Sequence, residues 1–251
     1  MFDKMLSRVG IGSARVDTIL HNFEVARGDM LIGEIRMYGG KAPQVINKFD
    51  LELVTTYQQE LKPGASGYKL SLRHHSLSEH FTLEAREEKV LNFELLVPIS
   101  TPISLGPTKS WIDTLVDVNW ALDPKDNDPI TILPDPATAH VLAALLELGY
   151  AHTEQSGVYL AMSGEYDMPF MQAFEFKAAK PVPGMPAELS LLIQANSYDA
   201  EIHLELDPVD EMADGIREGR MVRLRLRQDA DFTSETLKKM LQKSEQLTDN
   251  S

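Results

Sequence analysis

The sequence predicts an all-β protein made of two tandem β-sandwich domains with few helices, and three observations support this fold class. The chain has 251 residues, more than the roughly 100 to 150 of a usual single domain. Apolar and polar residues alternate with a period of two in at least twelve segments, whereas three segments have a helical period. Turn-forming residues separate the alternating segments, as at Gly39-Gly40 and Lys62-Pro63-Gly64.

The first segment is predicted to form a short N-terminal helix. Phe2, Met5, Leu6 and Val9 lie on one side of a helix, and glycines follow them. From residue 13 onward the period changes to two, which is typical of strands with one buried face. The predicted strands of this half are 14–20, 31–37, 49–57, 68–72, 81–85, 91–97 and 115–122. Seven strands without a long intervening helix predict an N-terminal β-sandwich domain over residues 1–133.

The second half is predicted to open with a helix. Asp135 can cap its first turn, Pro136 suits its first position and Gly149 can end it, while Val141 and Leu145 belong to one apolar stripe. The period of two then returns in 158–163, 170–177, 189–195, 201–207 and 221–228. A last helical pattern over 234–247 predicts a C-terminal helix. We therefore assign residues 134–251 to a C-terminal β-sandwich domain that carries helices.

Three stretches of the chain resemble the bacterial sporulation-control proteins. They are VGIGSARVDTIL (9–20), LLVPISTPISLGPTKSWIDTLVDVNWALDPKDNDPITILPDP (95–136) and MPFMQAFEFKA (168–178). The resemblance covers roughly residues 2–228. It implies two arrestin-like sandwiches, no catalytic centre and a regulatory role.

Composition and charge exclude several classes of function. The chain has no cysteine, which excludes disulfides, thiolate nucleophiles and cysteine-based metal sites. Its net charge of −14, with 10 basic and 20 acidic side chains in residues 134–251, opposes binding to nucleic acid, whose affinity depends on Lys and Arg. No segment has the apolar length of a signal peptide or a membrane span. We expect a cytoplasmic protein.

The segment DPKDNDP contains the one candidate metal site that we retain. Asp123, Asp126 and Asp128 could supply carboxylate oxygens to a hard cation such as calcium. The same residue types also build tight turns through side-chain to backbone hydrogen bonds, and we favour this interpretation. A histidine group at residues 74, 75 and 80 is interpreted as a polar hairpin tip, since neighbouring residues of a strand point to opposite faces.

The one basic feature of the acidic half is the predicted strand 221–228. Arg223, Arg225 and Arg227 share one face of it. The preceding strand has Glu201 and Glu205 on its charged face, so one interpretation is a cross-strand ladder of opposite charges. The alternative is a patch that binds an acidic or phosphorylated partner, because the arginine fork matches carboxylate and phosphate.

The sequence shows none of the common motifs of catalytic or nucleotide-binding sites. The sequence contains no G-x-S-x-G, no P-loop, no G-x-G-x-x-G and no H-E-x-x-H. The resemblance implies a regulatory protein without a catalytic centre, and we predict a non-enzymatic adaptor that needs no cofactor and binds other proteins through its sandwich surfaces. It could also form a homo-oligomer, and an enzyme of unrecognised type is a further alternative. The alternative is a calcium-modulated β-sandwich module that uses the Asp123–Asp128 segment.

Overall fold

The computed structural model contains fifteen strands and two helices in the part of the chain that it describes. That part comprises residues 14–59, 67–77, 80–118, 125–161, 170–180, 184–206 and 220–246. The predicted N-terminal helix and Asp123 lie outside these residues.

The first half contains two mainly antiparallel sheets, which are built from nine described strands. These are β1 (Arg15–Leu20), β2 (Glu24–Ala26), β3 (Met30–Tyr38), β4 (Gln44–Tyr57), β5 (Tyr68–Leu77), β6 (Phe81–Leu83), β7 (Glu88–Leu96), β8 (Ser110–Val118) and β9 (Lys125–Leu133). One sheet has the order β1-β3-β7, and the other has the order β2-β9-β8-β4-β5 with β6 also on β4. Among the described strands of this half, only β2 and β9 pair in parallel.

The two sheets enclose one apolar core, as the period of two predicts. In β3, buried Leu31, Ile35 and Met37 alternate with more exposed residues. In β4, Phe49, Leu51 and Leu53 are fully buried, and a bulge after Leu53 changes the pairing with β5. This half is therefore the β-sandwich that the sequence predicts.

The second half is one six-stranded sheet with two helices on its inner face. Its elements are α1 (Pro136–Glu147), β10 (Tyr150–His152), β11 (Val158–Ala161), β12 (Phe170–Ala178), β13 (Glu188–Ala195), β14 (Asp199–Leu206), β15 (Arg220–Arg227) and α2 (Ser234–Gln246). The strand order is β10-β12-β13-β14-β15, and β11 also pairs with β12. The inner residues of β13 and β14 form one core with apolar residues of both helices, such as Val141 and Leu237.

Helix α1 begins and ends as its sequence predicts. The Asp135 side chain accepts a hydrogen bond from the Thr138 N–H at 3.2 Å, and Pro136 occupies the first helical position. Gly149 follows the helix with φ +90°, a conformation that favours glycine. The helix buries Val141 and Leu145 of the predicted stripe. The all-β fold class, the helix that opens the second half and the C-terminal helix are confirmed.

One local prediction was wrong. The segment that contains Asp126 and Asp128 was interpreted as a turn, but both residues lie in β9, where Asp128 pairs with Ile112 of β8. Turn-forming residue types are tolerated here because an established neighbouring strand supplies a long ladder of partners. Strands β2 and β10, of three residues each, were not predicted.

A buried ion pair joins the two halves. Arg27, which follows β2, and Asp135, which precedes α1, have side-chain exposures of 3% and 0%. The Arg27 Nε donates to Asp135 Oδ2 at 2.6 Å, and its Nη2 donates to Thr138 Oγ1 at 2.6 Å. Burial acts to raise the pKa of Asp135, but the Arg27 charge and the hydrogen bonds of Thr138 and Gln228 hold it below its ordinary value of 3.8.

A second set of contacts crosses the same junction. Buried Gln172 of β12 accepts from the Ile103 N–H and donates to the Ile103 carbonyl, both at 2.8 Å. Gln58, beyond the end of β4, donates its N–H to the Tyr159 carbonyl of β11 at 2.8 Å. Backbone groups of Ile103, which lies between β7 and β8, and of Gln58 are thus hydrogen-bonded by residues of the second half. The domain boundary at 133/134 stays a prediction.

Candidate partner-binding edge of the C-terminal sheet

Strand β15 lies at the edge of the second sheet. It pairs antiparallel with β14 over eight residues, and no described strand pairs with its other side. The register places Arg227 opposite Asp199, Arg225 opposite Glu201 and Arg223 opposite His203. The predicted pairing of these two strands is therefore confirmed, with the charged side chains of both on the face away from the helices.

The three arginines differ in their partners. The Arg225 Nε lies 3.0 Å from Asp199 Oδ2, on the diagonal of the pair. Arg227 binds Asp229, which follows the strand, and its Nε donates at 2.8 Å. Among the described residues, no carboxylate lies within ion-pair distance of Arg223. The arginine row is thus only partly neutralised within the chain.

The aspartate that contacts Arg225 could not be identified from the sequence. The alternation placed Glu201 and Glu205 on the charged face, but Glu201 Oε1 instead lies 3.2 Å from His203 Nε2. Asp199 belongs to the same face by parity, yet it stands at the start of β14, after a turn in which Asn196 binds its N–H. Only the register shows that this position reaches the arginines.

On the outer face of the sheet, the arginines of β15 are more exposed to solvent than the charged residues of the neighbouring strands. The side chains of Arg225 and Arg227 are 69% and 74% exposed, whereas His203 is buried and Glu201 is half-buried. Burial raises the pKa of Glu175 on β12; the Ser190 hydrogen bond opposes this rise, and nearby Glu205 adds to it. The outer face therefore changes from a partly desolvated acidic centre to a solvated basic edge.

The opposite face of β15 is apolar and incompletely covered. Leu226 is buried in the core, while Val222 and Leu224 pack against it only in part. Part of the apolar surface of Val222 and Leu224 is therefore left uncovered. An edge strand usually protects its free side with charged or polar residues.

The structure places two of the three candidate metal residues, Asp126 and Asp128, in β9 of the first half. Asp126 Oδ2 accepts from the Thr18 N–H at 2.7 Å, and its Oδ1 accepts from the Asn127 N–H at 3.0 Å. The first of these bonds connects β9 to β1, and the second lies within β9. Within the described residues, no group of three or more His, Asp or Glu side chains has the arrangement of a metal site. Cation binding by Asp123, Asp126 and Asp128 stays a prediction.

His74 lies on the outer face of β5 between two carboxylates. Its Nε2 is 3.1 Å from Asp50 Oδ1, and its Nδ1 is 3.3 Å from Glu52 Oε1. His75 pairs with Leu51 instead, so the structure separates the faces of the two histidines as predicted. His74 therefore acts in cross-strand pairing on a solvent-facing surface.

The pocket at the junction of the halves gives no acid–base pair. Arg27, Tyr159 and Gln172 line it, but Arg27 is already paired with Asp135. Burial raises the pKa of Tyr159 to about 12, even though Arg27 acts to lower it. A tyrosine with that pKa remains protonated near neutral pH and is a poor general base.

Neither helix described in the structure has the length and apolar character needed to cross a bilayer.

Comparisons with known proteins give one consistent result. The family model described as SpoOM protein matches residues 2–209. A curated relative, the sporulation-control protein spo0M of Bacillus subtilis (strain 168), is 30% identical over 224 residues, which cover 86% of this chain and 83% of the relative. The resemblance seen in the sequence is thereby confirmed.

A solved structure agrees over almost the whole fold. The crystal structure of Spo0M, the sporulation control protein from Bacillus subtilis, aligns with a TM-score of 0.72 and 25% sequence identity. The alignment covers 96% of this chain and 98% of that chain.

Proposed function

The chain belongs to the SpoOM protein family, and on that premise we propose that it is a non-enzymatic regulatory adaptor that binds other proteins through the edges and faces of its sheets. The observation that supports this proposal is the free side of β15, where an exposed arginine row borders partly uncovered apolar residues. An unpaired strand edge offers backbone hydrogen bonds to a partner, and alternating side chains offer specificity.

The described pockets support a binding role over catalysis. The pocket on the outer face of β8 and β9 is lined by Phe23, Trp111 and Pro129, which are residue types of contact surfaces and not of proton transfer. The pocket between β4 and β11 contains Tyr57, Gln58 and Thr108. Neither contains the pair of titratable groups in contrasting environments that acid–base chemistry requires.

The test is affinity capture from the native cell with the tagged full-length protein, followed by mass spectrometry. Wild type is compared with Arg225→Glu and with Arg73→Glu, an exposed arginine on edge strand β5. We expect wild type and the Arg73 variant to capture at least one protein that the Arg225 variant does not capture. Circular dichroism should show that all three forms of the protein are folded. Failure of wild type to retain any protein above a tag-only control contradicts the adaptor proposal.

A further inference from the structure

The chemistry of β15 indicates what kind of partner it accepts. Resting on the adaptor function above, we propose that the free side of β15 binds an extended segment of another protein in which acidic and apolar residues alternate, so that the segment becomes the seventh strand of the C-terminal sheet.

The first argument comes from the strand that already occupies the other side of β15. Strand β14, with the sequence DAEIHLEL, has Asp199, Glu201 and Glu205 on its outer face together with His203, and apolar residues lie between them. Its Asp199 carboxylate contacts Arg225, and its Ile202 and Leu204 lie opposite Leu224 and Val222 in the register. The molecule therefore contains one example of the segment that fits this strand.

The second argument is that the charges of β15 remain available on its free side. Arg223 has no carboxylate within ion-pair distance among the described residues, and Arg225 keeps 69% of its side chain exposed while it contacts Asp199. A guanidinium has five donors, so one aspartate leaves several of them free. An acidic residue on a new strand would lie beside each arginine at cross-strand distance.

The third argument concerns the apolar face. Val222 and Leu224 pack only partly against the core. A strand added beside β15 would place its own inward side chains next to these residues. The apolar positions of the segment would thus continue the inner layer of the sheet, while the acidic positions face the arginines.

A second copy of β15 is a poor occupant of the same site. When two copies pair antiparallel with their apolar faces on the same side, arginines face arginines across the new ladder. Like charges placed directly opposite each other are destabilising. The arginine row therefore selects against self-pairing and in favour of an acidic partner, as edge strands do when they carry charge.

A peptide copy of β14 is the direct probe of this inference. The capped, fluorescently labelled peptide DAEIHLEL is titrated with the full-length protein, and binding is followed by anisotropy. The control peptide has asparagine and glutamine in place of its three acidic residues. We expect the acidic peptide to bind more tightly, with an affinity that falls as salt rises, and equal affinity for the neutral peptide would overturn the inference.

Protein variants locate the site. Arg223→Ser removes an arginine that has no described acidic partner, so we expect the fold to stay intact. The affinity for the acidic peptide should fall by about two- to fivefold. The matched control is Arg73→Ser on β5, an exposed arginine of another edge strand. Unchanged affinity in the Arg223 variant, or an equal loss in both variants, contradicts the assignment.

Backbone methylation tests strand addition itself. Two versions of the peptide carry N-methyl groups on alternate residues, one version on each set of positions. In an added strand only one set of N–H groups faces β15, so one version should keep its affinity and the other should lose it. Equal affinities of the two versions would show that charge alone attracts the peptide and would overturn strand addition.

An anionic surface is the competing class of occupant. Vesicles of phosphatidylserine and phosphatidylcholine that bind wild type, fail to bind Arg223→Ser and displace the peptide would assign the row to a membrane and contradict the inference. A captured cellular protein whose binding does not depend on Arg223 would contradict the inference alone and leave the adaptor function standing.

Discussion

Two arginine–aspartate pairs occupy opposite environments in this molecule. At the junction of the halves, Arg27 and Asp135 have side-chain exposures of 3% and 0%. At the sheet edge, Arg225 and Asp199 have exposures of 69% and 18%. The bonding chemistry is the same in both pairs, so burial alone distinguishes what each pair does.

The difference shows how one residue type serves structure in one place and recognition in another. Removing one member of a buried pair leaves an uncompensated charge that water cannot reach, which costs far more than the pair itself contributes. An exposed pair is screened and contributes about 0 to 1 kcal/mol. The junction pair therefore holds the halves in one arrangement, whereas the edge pair leaves its arginine available.

The largest expected effect is at the junction. Arg27→Met should lower the free energy of unfolding by about 3 to 5 kcal/mol, because Asp135 would remain buried without its countercharge. The measurement is urea unfolding of the full-length protein at pH 7. Adding Asp135→Asn should recover much of the loss, since asparagine keeps a cap for α1 and removes the charge. A cost of 1 kcal/mol or less for Arg27→Met would remove the contrast between the two pairs.

The junction pair should also give an acid-dependent stability. The pKa of Asp135 in the folded chain lies below its ordinary value of 3.8, so the folded state favours the ionised form. This contribution is fully present above about pH 4 and is lost as the pH falls through the lower folded-state pKa. We expect the stability difference between wild type and Asp135→Asn to shrink below pH 4 in urea unfolding. A constant difference from pH 7 to pH 3 would contradict the prediction.

An intermediate effect is expected at Gln172. Gln172→Leu leaves the buried N–H of Ile103 without its partner, whereas the Ile103 carbonyl keeps the Leu105 N–H at 2.9 Å. Each unsatisfied buried group costs about 1 to 3 kcal/mol, so the free energy of unfolding should fall by at least that amount. Gln172→Glu is a useful comparison, because it keeps the acceptor for the Ile103 N–H and loses the donor. If neither substitution lowers the free energy of unfolding, the polar contacts of Gln172 do not stabilise the junction, and the prediction is wrong.

The smallest effect is expected at the edge pair. Arg225→Glu should lower the free energy of unfolding by no more than about 1 kcal/mol, because the pair is largely solvated. Asp199→Lys in the same chain should restore part of that loss through the reversed pair. Thermal unfolding of the single and double variants gives the coupling. Unaltered stability together with lost partner binding would show that the arginine acts in recognition and not in the ladder.

Residues that are close in the sequence were predictable because their periodicity reports burial directly. The parity of β14 and β15 placed apolar residues inward and charges outward, and the structure agrees at Leu204, Leu226 and Arg225. The cap and stop of α1 were equally readable, since Asp135 and Gly149 act within a few residues of their own positions. These features depend on local geometry, so the sequence by itself determined them.

Tertiary structure decided the contacts between distant residues. Arg27 and Asp135 are 108 positions apart, and nothing in either local pattern marks them as partners. Asp126 and Asp128 have the composition of a turn, yet β8 draws them into a strand and Thr18 of β1 occupies one carboxylate. The alternation shows which face a charged or polar side chain occupies but not which residue it contacts, because its energy depends on the partner and on the water that the fold removes.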